Sequence, residues 1–290
     1  MHKRLREDWF YRYMINPQEY RRGTRMPAAW PNGRTIIPQV LDGDTNKQLS
    51  AIWMYLSDEG KAAVPLGVGG KTIILDPKTE PIIYRNFLTD LSPRGIAVGY
   101  PEQAHLAFDA EEMIIRSIWH NAFIDAAKHW VGRGQGNQMP LGDHLVKLPT
   151  GQPFAVLNSL DVSWPTEKAR DAGYAFLGYE LNEKRQPAFL YSFQNLTVTD
   201  FPEPLSTKAD TNFLRTLTIT ADGDPPEYLY LRVAVGNIEK RSAEVYVLNK
   251  IVELQVPNDA ITRPLKGAQE LLLPINFKGN KAEVKVRYIW

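Results

Sequence analysis

The run Glu283-Val284-Lys285-Val286-Arg287-Tyr288-Ile289-Trp290 puts Val284, Val286, Tyr288 and Trp290 on one side of an extended chain and Glu283, Lys285 and Arg287 on the other. A period of two marks a strand with one buried face, because successive side chains of extended backbone point to opposite sides. The same period recurs upstream. Leu229, Leu231, Val233 and Val235 alternate with Tyr230 and Arg232; Leu217 and Ile219 alternate with Thr216, Thr218 and Thr220; Val252, Leu254 and Val256 alternate with Glu253 and Gln255. Turn chemistry separates them at Ala221-Asp222-Gly223-Asp224-Pro225-Pro226 and at Lys278-Gly279-Asn280-Lys281. Strands buried on one face are the habit of antiparallel sheets. Many such strands with little helix between them predict a mainly β fold, a large antiparallel β-sandwich over residues 71–290. No longer period recurs, which disfavours a propeller or solenoid.

The first sixty residues read differently. Leu5, Trp9 and Tyr13 fall four apart, as do Phe10 and Met14, which predicts a helix over 4–15. Asn16-Pro17 stops it, since a proline disfavours helical geometry in the residue before it. Pro27, Pro31, Gly33 and Pro38 punctuate a loop. A second helix is expected from Thr45, where Thr45-x-x-Gln48 fits a capping box, to about Gly60. Its stripe Leu49, Ile52, Trp53 and Leu56 needs a partner surface. Two short helices and a loop cannot enclose a core of their own. Residues 61–70, Lys-Ala-Ala-Val-Pro-Leu-Gly-Val-Gly-Gly, have linker composition. The division expected is therefore a helical segment 1–60, a linker 61–70 and a sandwich 71–290.

The 290 residues carry 43% apolar and 23% charged residues, ordinary globular values, with a formal net charge of +1. That charge gives no global attraction to nucleic acid or acidic lipid. The basic residues 1–25, interleaved with Trp9, Tyr11, Tyr13 and Tyr20, read as a solvated helix face and not as a nucleic-acid arm. There is no cysteine, which excludes disulfides, thiolate metal sites and covalent haem attachment within this chain. No run approaches a membrane span, and the N-terminus lacks the apolar segment of a signal peptide. A cytoplasmic location is expected if the sequence is the complete product.

Met26 is the first candidate for chemistry. A methionine thioether in a proline-fixed loop is a soft ligand for haem iron, and His/Met coordination raises the reduction potential into the range of electron transfer. Trp9, Tyr13, Trp30, Trp53 and Tyr55 are the aromatic residues available to pack a porphyrin. The competing reading is a methionine that fills a gap. The run Leu5-Arg6-Glu7-Asp8-Trp9-Phe10-Tyr11-Arg12-Tyr13-Met14, then Asn16-Pro17, then Tyr20-Arg21-x-Gly23-Thr24-Arg25-Met26-Pro27, then Gln48-Leu49-x-x-Ile52-Trp53-x-Tyr55-Leu56, resembles the downstream half of class I cytochrome c domains in large multidomain bacterial proteins. The resemblance covers about residues 4–58. The β part also resembles the domain that follows such cytochromes, at Pro93-Arg94-x-Ile96-Ala97-Val98-Gly99-Tyr100-Pro101, Ala107-Phe108-Asp109-Ala110 and His129-Trp130-x-Gly132-Arg133-Gly134.

The resemblance implies that Met26 is the distal ligand of haem c, that Trp9, Tyr13, Trp30 and Trp53 surround the cofactor, and that the protein is periplasmic or otherwise extracytoplasmic. It also implies a redox partner protein or an upstream cytochrome segment. The departure is that this chain has no Cys-x-x-Cys-His; the attachment cysteines and proximal histidine are expected upstream of Met1. A truncated reading frame, an excised fragment and a decayed copy all fit that pattern.

A second constellation gathers Asp109, Arg116, Trp119, Asp125, His129, Trp130 and Arg133, with His120 and Lys128 among them and a glycine-rich loop behind. Aromatic faces beside carboxylates and guanidinium groups suit a glycan or another small polar ligand. Asp125 with His129 is a candidate acid–base pair. The structural reading weighs more: Trp119 and Trp130 as core anchors, Asp109 as the tether of a turn. Gly67-Val68-Gly69-Gly70-Lys71-Thr72 fails as a phosphate loop because Pro65 stands where its first glycine belongs. The expected function is an electron-transfer protein of the cytochrome c kind with an appended binding domain, unable to attach haem in this chain alone. The alternative is a haem-free carbohydrate- or protein-binding sandwich, and behind it an acid–base sugar-active enzyme.

Overall fold

A computed structural model describes residues 2–22, 24, 26–58, 61–63, 72–130, 136–207 and 211–290. The chain divides into two compact units, residues 1–71 and 72–290. Most of the expected linker lies outside the described residues.

In the first unit, helix α1 spans Glu7–Ile15, α2 Pro17–Tyr20 and α3 Thr45–Ser57, with single 3-10 turns at His2–Arg4, Pro31–Gly33 and Leu41–Gly43. The first helix begins at Glu7 and not at residue 4, because Arg6 is extended. Glu7 and Asp8 then occupy the first turn, where the helix dipole favours carboxylates. Pro17 both ends α1 and opens α2, as a proline in the first turn does.

The capping box expected at Thr45 does not form. Asp44 is the cap, its carboxylate accepting the Lys47 amide at 3.0 Å, while the Thr45 hydroxyl donates to the Gly33 carbonyl. Gln48 turns inward. It accepts from Trp30 Nε1 at 2.8 Å and donates to the Val40 and Ile37 carbonyls. Those carbonyls also accept the Val40 and Gly43 amides, so the buried Gln48 amide adds a second donor to each and ties the loop to the helix. The apolar interior of this unit is small: Phe10, Trp30 and Leu49 are buried, while Ile36, Ile37, Val40, Leu41, Met54 and Tyr55 are exposed.

The second unit is antiparallel β throughout its sheets. In chain order its strands are β1 (Ile74–Leu75), β2 (Ile82–Arg85), β3 (Gly95–Gly99), β4 (Ala104–Asp109), β5 (Ile114–His120), β6 (Ile124–Asp125) and β7 (Asp143–Lys147). Then come β8 (Phe154–Val156), β9 (Tyr174–Leu181), β10 (Pro187–Phe193), β11 (Leu196–Ser206), β12 (Thr211–Ala221) and β13 (Leu229–Gly236). The last are β14 (Ile238–Lys240), β15 (Val245–Leu248), β16 (Val252–Gln255), β17 (Ile261–Leu265), β18 (Ala268–Pro274) and β19 (Lys281–Ile289). An eight-stranded sheet has the order β14-β15-β16-β19-β12-β11-β10-β9. Two smaller sheets run β2-β3-β4-β5-β7 and β17-β18-β13-β8, and β1 pairs with β6.

One apolar core draws on all three larger sheets: Leu106 and Phe108 from the five-stranded sheet, Phe154, Leu231 and Leu273 from the four-stranded sheet, and Phe189, Val198 and Leu217 from the eight-stranded sheet. Phe108 stacks on Phe189 with ring centres 4.0 Å apart and planes 3° from parallel. The fold is thus a large sandwich, with the long sheet covering both shorter ones. Among the described residues no helix is long and apolar enough to cross a membrane.

β19 shows the alternation read from sequence, with Val284, Val286 and Tyr288 buried. β13 departs from it. A bulge between Arg232 and Ala234 inserts one residue, so Ala234 is buried and Val235 is not; an extra residue shifts every later side chain to the other face. β4 is buried on both faces. Its second face packs under Trp119, Phe123 and Leu88, and Gly99 leaves the space that the Phe123 ring occupies, 2.7 Å from where a Cβ would stand.

The long sheet's inner face also holds a charge pair. Arg215 on β12 donates from Nε and Nη2 to both carboxylate oxygens of Asp200 on β11, at 2.9 and 2.6 Å. Their side chains are 3% and 0% exposed. Burial disfavours the charge on Arg215, yet Asp200 holds its pKa well above the usual guanidinium value. Burial also lifts the Tyr191 phenol far above its ordinary range, with Asp200 adding to the rise and Arg215 opposing it.

Candidate functional site

Asp109 ends β4 and is 1% exposed. Its Oδ1 accepts from the Ser92 hydroxyl at 2.7 Å and from the Glu111 and Glu112 amides, and its Oδ2 accepts from the Ser92 amide at 2.6 Å. Four bonds to one carboxylate fasten the β4–β5 turn to the loop before β3. That turn presents Glu112. Its Oε2 receives Nη1 of Arg116, from β5, at 2.7 Å and the Gly151 amide at 3.0 Å. Arg116 Nη2 donates to the Asp90 carbonyl at 3.1 Å.

The facing wall comes from the four-stranded sheet. Arg232 on β13 donates from Nη1 to Glu270 Oε1 at 3.1 Å and from Nη2 to the Thr150 carbonyl. Its guanidinium lies 4.8 Å from the Trp164 ring centre. Burial pulls the Arg232 pKa below the usual guanidinium value, and Glu270 opposes that fall. Glu270 is itself buried and also receives Arg263 Nε at 2.7 Å.

Between these walls is a cleft of about 480 Å³ whose lining includes Asp90, Glu112, Arg116, Thr150, Glu167 and Arg232. The volume suits a small molecule. Among the described residues, Nε of Arg116 and Nε of Arg232 have no hydrogen-bond partner. Carboxylates on this lining (Asp90, Asp109, Glu111, Glu112, Glu167) outnumber the cations Arg116, Lys168 and Arg232. That excess makes the lining net negative and disfavours an anion. A neutral ligand rich in hydroxyl groups finds both acceptors and donors.

Of the residues singled out from sequence, the structure brings Asp109 and Arg116 to this cleft. Trp119 is elsewhere: it is fully buried, stacks on Phe123 and donates Nε1 to the Ala122 carbonyl. Asp125 on β6 accepts the Ile73 and Ala127 amides, joining the β1 edge to a 3-10 turn at Ala126–Trp130. His129 is exposed on that turn, and Trp130 is its last residue. Arg133 lies outside the described residues.

Glu112, Arg232 and Glu270 escaped the sequence reading. Arg232 reads as the outward side chain of an alternating strand, and only the approach of two sheets makes it a cleft wall. Glu270 did carry a signal, an acid set directly before Leu271-Leu272-Leu273. A charge that such a run draws into the interior needs a partner there.

Met26, the ligand expected for haem iron, lies in the loop between α2 and the 3-10 turn at Pro31–Gly33. The residue is partly buried, and its amide donates to Thr24 Oγ1 at 3.3 Å. The aromatic residues pack on one another. Trp9 stacks on Tyr13 at 4.8 Å and meets Tyr20 edge-on, while Phe10 packs on Trp53 at 5.2 Å. Trp30 is buried against Gln48, and Tyr55 is exposed. These residues offer one thioether and no attachment cysteine, so on their own they do not fit haem c.

Histidines in the sandwich are engaged in its frame. Burial lowers the His105 pKa to about 4; the ring accepts the Tyr100 amide at Nδ1, and Nε2 pairs with the Asn121 carbonyl. His120 stacks on Trp290 at 4.1 Å, with Nε2 against the Thr211 carbonyl. Among the described residues no three or more His, Cys, Asp or Glu side chains are grouped to hold a metal. Comparison with protein-family models, curated proteins and solved structures finds no match to the chain.

Proposed function

We propose that the sandwich is a binding domain for a small hydroxyl-rich ligand, a sugar or glycan end, held between Arg116 and Arg232. The observation that carries this reading is the composition of the 480 Å³ cleft, where guanidinium donors and carboxylate acceptors share one lining and cations are outnumbered. Hydrogen bonds to charged groups contribute about 1.5–3 kcal/mol each. Arg116→Gln is therefore expected to weaken binding of a glycan-array hit by roughly tenfold to a hundredfold in titration calorimetry. Asp90→Asn, which keeps a residue type tolerant of the positive φ at that position, is expected to weaken it less. Unchanged affinity in both variants sinks the assignment of this cleft.

A second reading concerns the first unit and rests on its open apolar side together with its resemblance to the downstream half of cytochrome c. Helix, half-buried Met26 and closing helix follow in the expected order, and Ile36, Ile37, Val40, Leu41 and Met54 remain uncovered. A segment bearing Cys-x-x-Cys-His, upstream or in a partner, would supply the second ligand and the cover; bound haem would supply electron transfer. The whole protein would then join electron transfer to ligand recognition in the periplasm. Mixing this chain with a haem-loaded Cys-x-x-Cys-His peptide is expected to shift the Soret band, and Met26→Ala is expected to abolish the shift. No shift with the parent chain excludes the haem role.

A further inference from the structure

Beyond Arg116 the polar cleft continues into a second one of about 440 Å³, and Asp90, Arg116 and Thr150 line both. The second has a different character. Its walls include Leu91, Met139, Pro140, Leu145 and Leu148. Met139 and Leu145 are 53% and 39% exposed, so two large apolar side chains stand in water beside a set of charged groups.

The wall carrying them is pinned by backbone bonds. Gln138 exchanges hydrogen bonds with the segment beside it, its amide donating to the Phe87 carbonyl and its carbonyl accepting the Thr89 amide, both at 2.9 Å. Strand β7, which holds Leu145, pairs with β5 through Ser117 and Lys147. The Leu148 amide donates to the Arg116 carbonyl at 2.9 Å, and Lys147 Nζ reaches Asp90 at 2.7 Å. An apolar surface held this way is preformed, and filling it costs little ordering. Arg116 stands at the junction, and its side chain combines an apolar stem with a charged head.

From this continuity we infer that the two clefts are one bipartite site for an amphipathic small molecule. Its hydroxyl-rich head lies between Glu112, Arg116 and Arg232, and a flat or short-chain apolar group lies on Leu91, Met139 and Leu145. The chemical class is an aryl or alkyl glycoside. The inference rests on the sugar-binding reading of the polar cleft and adds the apolar half.

The test compares a panel of 4-methylumbelliferyl glycosides with the parent sugars and with free 4-methylumbelliferone by titration calorimetry on the full chain. Burying an aryl face on three apolar side chains is expected to make the best glycoside about tenfold to a hundredfold tighter than its sugar. Met139→Ser and Leu145→Ser, both at exposed positions, are expected to remove that advantage and leave the sugar's own affinity within about twofold. Arg116→Gln is expected to weaken both ligands. Equal affinity for glycoside and sugar overturns the bipartite site while leaving the polar reading in place. No binding by any sugar-bearing ligand overturns both. Binding of 4-methylumbelliferone alone, as tight as its glycosides and insensitive to Arg116→Gln, overturns the joint site. A Leu145→Ser variant that changes self-association in sedimentation, and not glycoside affinity, reassigns the apolar cleft to contact between copies and overturns it as well.

Discussion

Asp200→Ala is expected to lower the unfolding free energy by about 3–5 kcal/mol, the cost of leaving one member of a buried ion pair without its partner. Arg215 has no route to water from its place on the inner face of the long sheet, where it is 3% exposed. Without Asp200 its guanidinium would face Tyr191 and Tyr288, the other groups whose charges bear on it, and neither phenol ionises readily because burial holds both pKa values up. The measurement is equilibrium unfolding in guanidinium chloride. The double variant Asp200→Leu with Arg215→Met is expected to recover most of the loss, since an apolar pair of similar volume avoids the desolvation of two charges. A loss below about 1 kcal/mol for Asp200→Ala would mean that the pair is hydrated in solution, contrary to its burial.

Glu270→Ala is expected to be comparably severe, again about 3–5 kcal/mol, because this buried carboxylate neutralises two arginines at once. Arg263 is also tied to the Leu160 and Val162 carbonyls, at 2.9 and 2.5 Å, and so cannot withdraw. Arg232 can. Its remaining ties are the Thr150 carbonyl and the Trp164 ring, so repulsion from Arg263 would move it within the cleft. Ligand affinity is therefore expected to fall at least tenfold in protein that remains folded, measured well below the unfolding midpoint. Glu270→Gln keeps the acceptor oxygen and is expected to cost less stability. Undiminished affinity in folded Glu270→Ala would show that Arg232 does not position the ligand.

The two pairs mark where reading from sequence stops. Asp200 and Arg215 sit among side chains that alternate with apolar neighbours, Val198 before one and Leu217 after the other. Alternation puts each on the face of its apolar neighbour two residues away, but nothing local says that the two meet. Pairing of β11 with β12 puts them diagonally opposite, Asp200 beside Leu217 and Arg215 beside Pro202, and that register decides their contact. The cleft is similar. Asp109 was legible as the tether of a turn, because a short acid after a strand bonds the amides that follow it. Its partners Ser92, Glu111 and Glu112 are mostly near in sequence. Arg116 and Arg232 are more than a hundred residues apart and on different sheets, and no spacing rule connects them.

What the sequence determined by itself was the class of fold and the points where it turns. Alternation at Leu217–Ile219, Val252–Val256 and Val284–Tyr288 needs only the geometry of an extended chain and the aversion of apolar side chains to water, both of which act over a few residues. The break at Asn16-Pro17 is equally local. The tertiary structure alone decided which strands pair, where a bulge turns Val235 off the core face, and why Asp44 and not Thr45 caps α3. It also decided which charges meet. Those outcomes depend on contacts whose cost and gain are settled between distant segments, where packing and desolvation outweigh the preferences of any short stretch of chain.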